Sequence, residues 1–182
     1  MKFVALVGSI RKESYNKKLA KYIKIRYQEK AEIDILPIEN LPLFNQDEEE
    51  NPPAVVEDFK QKVADSDGLI FVTPEYNHSV PGVLKNAIDW CSRVDKVMVK
   101  KPAMIAGGSI GVLGTARAQM HLRQILNSPG VSALTLPGNE VFIGGIQNKM
   151  DDDGILSDES TIEFIDNVMN NFIDWVDKTK RL

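Results

Sequence analysis

Leu69-Ile70-Phe71-Val72-Thr73-Pro74-Glu75-Tyr76-Asn77-His78-Ser79-Val80-Pro81-Gly82 is the stretch that decides the fold. Its first four residues are apolar, with β-branched and aromatic members and no polar face. That composition predicts a short strand buried on both sides. Two prolines and a glycine follow and hold an extended loop open. A helical pattern then runs to Cys91, giving a helix over 80–91. A doubly buried strand, an open loop and a helix form the repeating unit of a parallel α/β sheet. In such sheets, ligands sit outside the carboxyl ends of the strands, where this loop lies.

Working outward, the same unit recurs. Phe3 to Val7 reads as a first buried strand, Gly8 to Tyr15 as a polar loop, and a helix follows from Asn16 with Leu19, Ala20, Ile23 and Tyr27 on one face. Ile33 to Leu36 is a second strand whose alternation suits a sheet edge. The loop from Pro37 to Pro53, with its acidic run Asp47-Glu48-Glu49-Glu50, is long for an α/β connection. It is either mobile or a wall of the site. Ala54 to Ala64 is a helix with Val55, Val56, Phe59 and Val63 as its apolar face, and Leu69 to Thr73 is the third strand. Ala103 to Ala106 is a fourth strand ending in a glycine-rich loop, Gly107 to Gly114, and Ala116 to Leu126 is the next helix. Ser132 to Leu136 is a fifth strand, continued or paired by Val141 to Ile143. Ser160 and Glu163 read as a capping box for a last helix with apolar residues from Ile162 to Val176. The alternation predicts one domain over 1–182: a three-layer α/β sandwich around a five-stranded parallel sheet in the flavodoxin-like order 2-1-3-4-5.

Composition narrows the function. The chain has 182 residues, 43% hydrophobic and 26% charged, with net charge −4. No Lys/Arg cluster of the kind that neutralises nucleic-acid phosphates is present, so no nucleic-acid partner is expected. No stretch approaches the roughly 18 apolar residues of a membrane span. Cys91 is the single cysteine, so no intrachain disulfide can form, and a cytoplasmic location is expected. Two separated histidines and one cysteine offer no zinc set, and no metal is expected. Asp151-Asp152-Asp153-Gly154 resembles a calcium-loop fragment, but its first and twelfth positions would be Lys149 and Ser160, so a solvated loop is expected. His78 is read as an exposed loop residue, and Cys91 as a small buried hydrophobe.

The loop Gly8-Ser9-Ile10-Arg11-Lys12-Glu13-Ser14-Tyr15-Asn16 carries hydroxyls, a guanidinium, an amide and the free N–H groups of a helix start. These are donors at a helix N-terminus, and such sites take anions, phosphate above all. The alternative is that Ser14 or Asn16 merely caps the helix while Arg11 is solvated. Neither G-x-x-x-x-G-K-[ST] nor G-x-G-x-x-G is present, so a monophosphate on a smaller ligand fits better than a nucleoside triphosphate or a dinucleotide held in the Rossmann manner. Two further loops, Pro74 to Asn77 and Gly107 to Gly114, stand at the same sheet edge and can line a flat ring.

Two motifs carry a resemblance. Gly8-Ser9-x-Arg11-x-x-Ser14-x-Asn16 and Thr73-Pro74-Glu75-Tyr76-Asn77-x-Ser79-x-Pro81-Gly82-x-Leu84-Lys85-Asn86-Ala87-Ile88-Asp89-Trp90 resemble the NADPH-dependent FMN reductase family of the flavodoxin-like fold, with its azoreductases and its quinone and chromate reductases. The resemblance covers nearly the whole chain. It implies that Ser9, Arg11, Ser14, Tyr15 and Asn16 hold the FMN phosphate. Pro74, Glu75, Tyr76 and Asn77 would pack along the isoalloxazine and bond its polar edge, and Gly108, Ser109 and Gly111 would close the other side. It further implies NADPH or NADH as donor, and quinones, azo compounds, free flavin or chromate as acceptors in a ping-pong order. No catalytic side chain is expected, since the flavin carries the chemistry, and Tyr76 is the acceptor-pocket candidate. The segment Gly114 to Gln124 resembles subunit-contact sequence of the chromate and quinone reductase branch and implies a homodimer or homotetramer. The competing function is a flavodoxin-like electron carrier to a protein partner. It would oxidise little NAD(P)H by itself.

Overall fold

The structure is a computed structural model and describes residues 1–180. Its strands are β1 (Lys2–Val7), β2 (Glu32–Leu36), β3 (Gly68–Val72), β4 (Pro102–Ser109), β5 (Leu134–Thr135) and β6 (Val141–Gly144). Its α-helices are α1 (Tyr15–Arg26), α2 (Ala54–Ala64), α3 (Gly82–Cys91), α4 (Ala116–Leu126) and α5 (Glu159–Thr179). All strand pairs are parallel, in the order β2-β1-β3-β4-β5, with β6 also on β4. This is the flavodoxin-like order expected from the sequence.

Strand periodicity explains the layers. Successive side chains point to opposite faces, and the central strands are apolar on both. Phe3, Ala5, Val7, Ile70 and Val72 pack with α1 and α5 residues such as Leu19, Ile23, Val168 and Phe172. Val4, Leu6, Leu69 and Phe71 pack with Val56, Phe59, Leu84, Trp90 and Leu122 of the other three helices. The Phe3 and Phe172 rings lie 5.1 Å apart. At Gly68 an added Cβ would stand 3.0 Å from Phe172 Cζ, so that crossing is close-packed.

Four local expectations change. The fifth position of the sheet is shared by two short strands, β5 against Pro102 and Ala103, and β6 against Ala106 to Ser109. That second partner extends β4 through Gly107-Gly108-Ser109, which read as loop because two glycines in a row carry no strand preference. α3 begins at Gly82 rather than Val80, because Pro81 disfavours helical backbone at the residue before it. α5 is capped by Asp158, not by a Ser160/Glu163 box: Asp158 Oδ1 accepts the Thr161 N–H at 3.0 Å and the Ser160 hydroxyl at 2.9 Å. Lys149 beside it at 2.8 Å holds the Asp158 carboxyl well below the usual carboxylate range.

The long loop from 37 to 53 is fastened at its centre. Pro42 O accepts from both Asn86 Nδ2 and Trp90 Nε1, each at 2.9 Å, and Phe44 stands edge-on to Trp90 at 5.0 Å. Its acidic end forms an exposed 3-10 turn, Gln46–Glu48.

Candidate functional site

Parallel register brings the carboxyl ends of the central strands level. Val7 pairs with Val72, and Val72 with Ala106. The loops leaving β1, β3 and β4 therefore meet at one edge, each where the expected site residues lie.

The β1–α1 loop is rich in donors that no group among the described residues uses. Ser9 is 3% exposed, yet among the described residues its hydroxyl has no partner. Arg11 is exposed and makes no ion pair among them. Ser14 is the N-cap of α1, and its Oγ accepts the Lys17 N–H at 3.3 Å, which leaves its O–H to donate. Capping and ligand contact are thus compatible at Ser14. The first N–H groups of a helix have no intrahelical acceptor, so those of Tyr15 and Asn16 remain directed at the loop. Tyr15 itself starts the helix, with its ring against the core.

Asn16 has a different task. Its Nδ2 donates to Gly108 O and its Oδ1 accepts the Gly108 N–H, both at 2.9 Å and both buried. The amide straps the first loop to the end of β4 across 92 residues of sequence. Gly108 consequently offers no free N–H to a ligand. The neighbouring glycines are needed for packing. A Cβ on Gly107 would lie 2.2 Å from Thr73 O and from Thr115 Oγ1, and one on Gly108 would lie 2.2 Å from Ile146 Cδ1. Ser109 Oγ accepts the Gly111 N–H at 3.1 Å, which bends the chain away at the strand end.

The loop after β3 closes into a tight turn. Tyr76 and Ser79 exchange backbone hydrogen bonds of 3.1 and 3.0 Å, around Asn77 (φ 50°) and His78 (φ 64°). Pro74 is half-buried, and Tyr76 is 49% exposed on the first arm of the turn. The Glu75 carboxylate is engaged by α4: Oε2 accepts the Ala118 N–H at 3.1 Å. Ser79 Oγ and His121 Nδ1 are in hydrogen-bond contact at 3.1 Å. His78 is exposed, as expected. Ile10, Ile110, Val112 and Leu113 are exposed apolar residues of the first and third loops. Cys91 is buried and has its thiol pushed up to about 12 by burial, so it is no nucleophile. No group of His, Cys, Asp or Glu among the described residues could hold a metal ion.

Sequence reasoning placed all three loops but missed the straps that hold them. Asn16 to Gly108 and Glu75 to Ala118 are long-range contacts with no local pattern to signal them.

The flavodoxin-like strand order, together with the family match and relatives that follow, makes the chain an NAD(P)H-dependent oxidoreductase with FMN as its cofactor. The chain belongs to the NADPH-dependent FMN reductase family, whose model matches residues 1–148. It is 43% identical to the NADH-dependent flavin reductase subunit 2 of Lactobacillus johnsonii, over all of both chains. It is 40% identical to the quinone reductase of Escherichia coli K12, covering 99% of this chain and 97% of that one. Among solved structures it is similar to FerB, a flavoenzyme NAD(P)H:(acceptor) oxidoreductase from Paracoccus denitrificans, with a TM-score of 0.89, 35% identity and 98% of each chain covered. No helix among the described residues is long and apolar enough to cross a membrane.

Proposed function

We propose that this protein holds FMN across its three loops and passes electrons from NAD(P)H to small oxidised acceptors, quinones and free flavins first among them. The observation that carries the reading is the unmet donor set of the β1–α1 loop: the Ser9 hydroxyl and the Arg11 guanidinium, without partners among the described residues, beside the free N–H groups of α1. Donors of this kind fit a dianionic phosphate.

In this reading Ser9, Arg11, Ser14 and the backbone of Tyr15 and Asn16 receive the phosphate, while the Asn16 side chain fixes their distance from β4. Pro74, Glu75, Tyr76 and Asn77 flank the ring with backbone and the Tyr76 side chain. Gly108, Ser109 and Gly111 form the opposite wall. FMN, when bound, accepts hydride and releases electrons. The chain binds, orients and partly shields. Its exposed apolar residues Tyr76, Ile110, Val112 and Leu113 suit a flat acceptor. Donor and acceptor take turns at one open face, a ping-pong order, and azo compounds and chromate fall within the same tolerance. The single buried cysteine fits a reducing, cytoplasmic setting. The faces over Ile88 to Val94 and Arg117 to Leu126 are the surfaces proposed to pair in a homodimer or homotetramer. Light scattering that finds only monomer at micromolar concentration refutes that assembly.

An absorption spectrum of the purified protein, followed by anaerobic NADPH and NADH, tests the reading. Flavin bands that bleach with either donor, and parallel initial-rate lines with a quinone, are expected. A protein that takes up no FMN contradicts it. The Lactobacillus johnsonii relative is named as a subunit, which supports a second reading, electron delivery to a protein partner. Bands that bleach only when such a partner is present favour that reading.

A further inference from the structure

We propose that Glu75 is a positioning residue: by capping α4 it fixes where the Tyr76 turn stands, and through that turn it sets how well an acceptor is received. This rests on the reading of the Tyr76 turn as a wall of the site.

α4 starts without a side-chain cap of its own. Thr115 occupies the N-cap position, but its side chain accepts nothing from the helix backbone; its Oγ1 instead receives Gln119 Nε2 at 2.9 Å. Glu75, from a different loop, supplies the missing acceptor through Oε2 on the Ala118 N–H at 3.1 Å. A carboxylate at a helix N-terminus has the favoured sign. Arg117 Nη1 stands 3.6 Å from the other oxygen, and the Glu75 side chain is only 13% exposed. The contact is therefore sheltered from water and salt. Both carboxylate oxygens are directed at α4.

The turn needs such an anchor. Asn77 and His78 both have positive φ without being glycine, the conformation a two-residue turn of this hand demands at its centre. Backbone of that kind persists where the surroundings over-determine it. Glu75 before the turn and Ser79 after it are both fastened to α4, the second through His121. Turn and helix therefore form one body, with Tyr76 exposed on the first arm of the turn. The Ser79–His121 tie is exposed, so Glu75 is the principal anchor.

The test compares Glu75→Ala, Glu75→Gln and Tyr76→Ala as FMN-loaded proteins, by amide hydrogen exchange and by steady-state kinetics with 1,4-benzoquinone. Glu75→Ala removes the acceptor and is expected to speed exchange at Tyr76, Ser79 and Ala118, and to raise the quinone KM roughly tenfold with kcat nearly kept. Glu75→Gln retains an oxygen for the Ala118 N–H and is expected to recover most of both effects. Wild-type exchange at the turn in Glu75→Ala, or no recovery in Glu75→Gln, overturns the proposal. Loss of FMN from Glu75→Ala, with the turn still protected, also overturns it, because Glu75 would then be a cofactor contact. Faster exchange in Glu75→Ala, with the quinone KM unchanged there and in Tyr76→Ala, removes the turn from the site. That outcome refutes the functional reading beneath the proposal, not the anchor itself.

Discussion

The two ends of the site are built on opposite terms. At the proposed phosphate end, polar groups have no protein partner among the described residues: the Ser9 hydroxyl, the Arg11 guanidinium and the first N–H groups of α1. At the proposed ring end, polar groups are already engaged with each other, Asn16 with Gly108, Glu75 with Ala118, Ser79 with His121, and Ser109 with Gly111. On the proposed reading the first end contributes affinity, because ligand bonds there displace no protein–protein bond. The second contributes shape, because its loops are strapped in place before a ligand arrives and little ordering cost remains. Substitutions at the phosphate end should therefore lower FMN affinity and spare stability, while those at the ring end should do the reverse.

The largest effect is expected at Gly107. Alanine there would press its Cβ to 2.2 Å from the Thr73 carbonyl oxygen, and backbone cannot swing aside. Gly107→Ala should cost about 3 kcal/mol, or about 9 °C in Tm for a chain of this size, read by thermal unfolding. Next comes Asn16→Ala, which leaves the Gly108 N–H and carbonyl buried and unpaired. A loss of about 2 kcal/mol is expected in denaturant unfolding. Asn16→Asp should fare no better, because its second oxygen would face the Gly108 carbonyl. A full-stability Asn16→Ala protein would break the contrast between the two ends. Arg11→Ala should weaken FMN about 10- to 100-fold by fluorescence titration, the worth of a charge-assisted bond, with Tm of the apoprotein unmoved. The smallest effect lies outside both ends. Asp166 receives Arg26 in two bonds of 2.7 and 2.6 Å and the Tyr27 hydroxyl at 2.7 Å, and Arg26 lowers its pKa to about 2. A depressed carboxyl adds stability above its unfolded pKa of about 3.9. That stability is lost as pH falls toward the folded value. Asp166→Asn should thus cost about 1 kcal/mol at pH 7, with the gap to wild type closing between pH 4 and pH 2.

Much of this architecture can be read locally. α2 and α4 begin and end at the residues their apolar spacing predicts, Ala54–Ala64 and Ala116–Leu126. Unbroken apolar runs placed β1 and β3 in the interior of the sheet. Apart from the start of α3, which the adjacent Pro81 moves to Gly82, the misreadings fell where a partner outside the local pattern decides the outcome. Gly107-Gly108-Ser109 is strand only because β6 pairs with it. Asp158 takes the cap from Ser160 because Lys149 is nearby to hold its charge. The site follows the same division. Its candidate loops are marked in the sequence by their donors and glycines. The strap between Asn16 and Gly108 and the cap from Glu75 to α4 join residues 92 and 43 apart, and nothing in either local sequence announces them.

The contrast between the two ends is tested most directly by titrating the apoprotein with FMN and with riboflavin, which differ by the phosphate alone. If the phosphate end supplies the affinity, FMN should bind about 100-fold tighter or more, the worth of two charge-assisted bonds, and Arg11→Ala should narrow the gap. Equal affinity for the two flavins would contradict the assignment of the β1–α1 loop as the phosphate site.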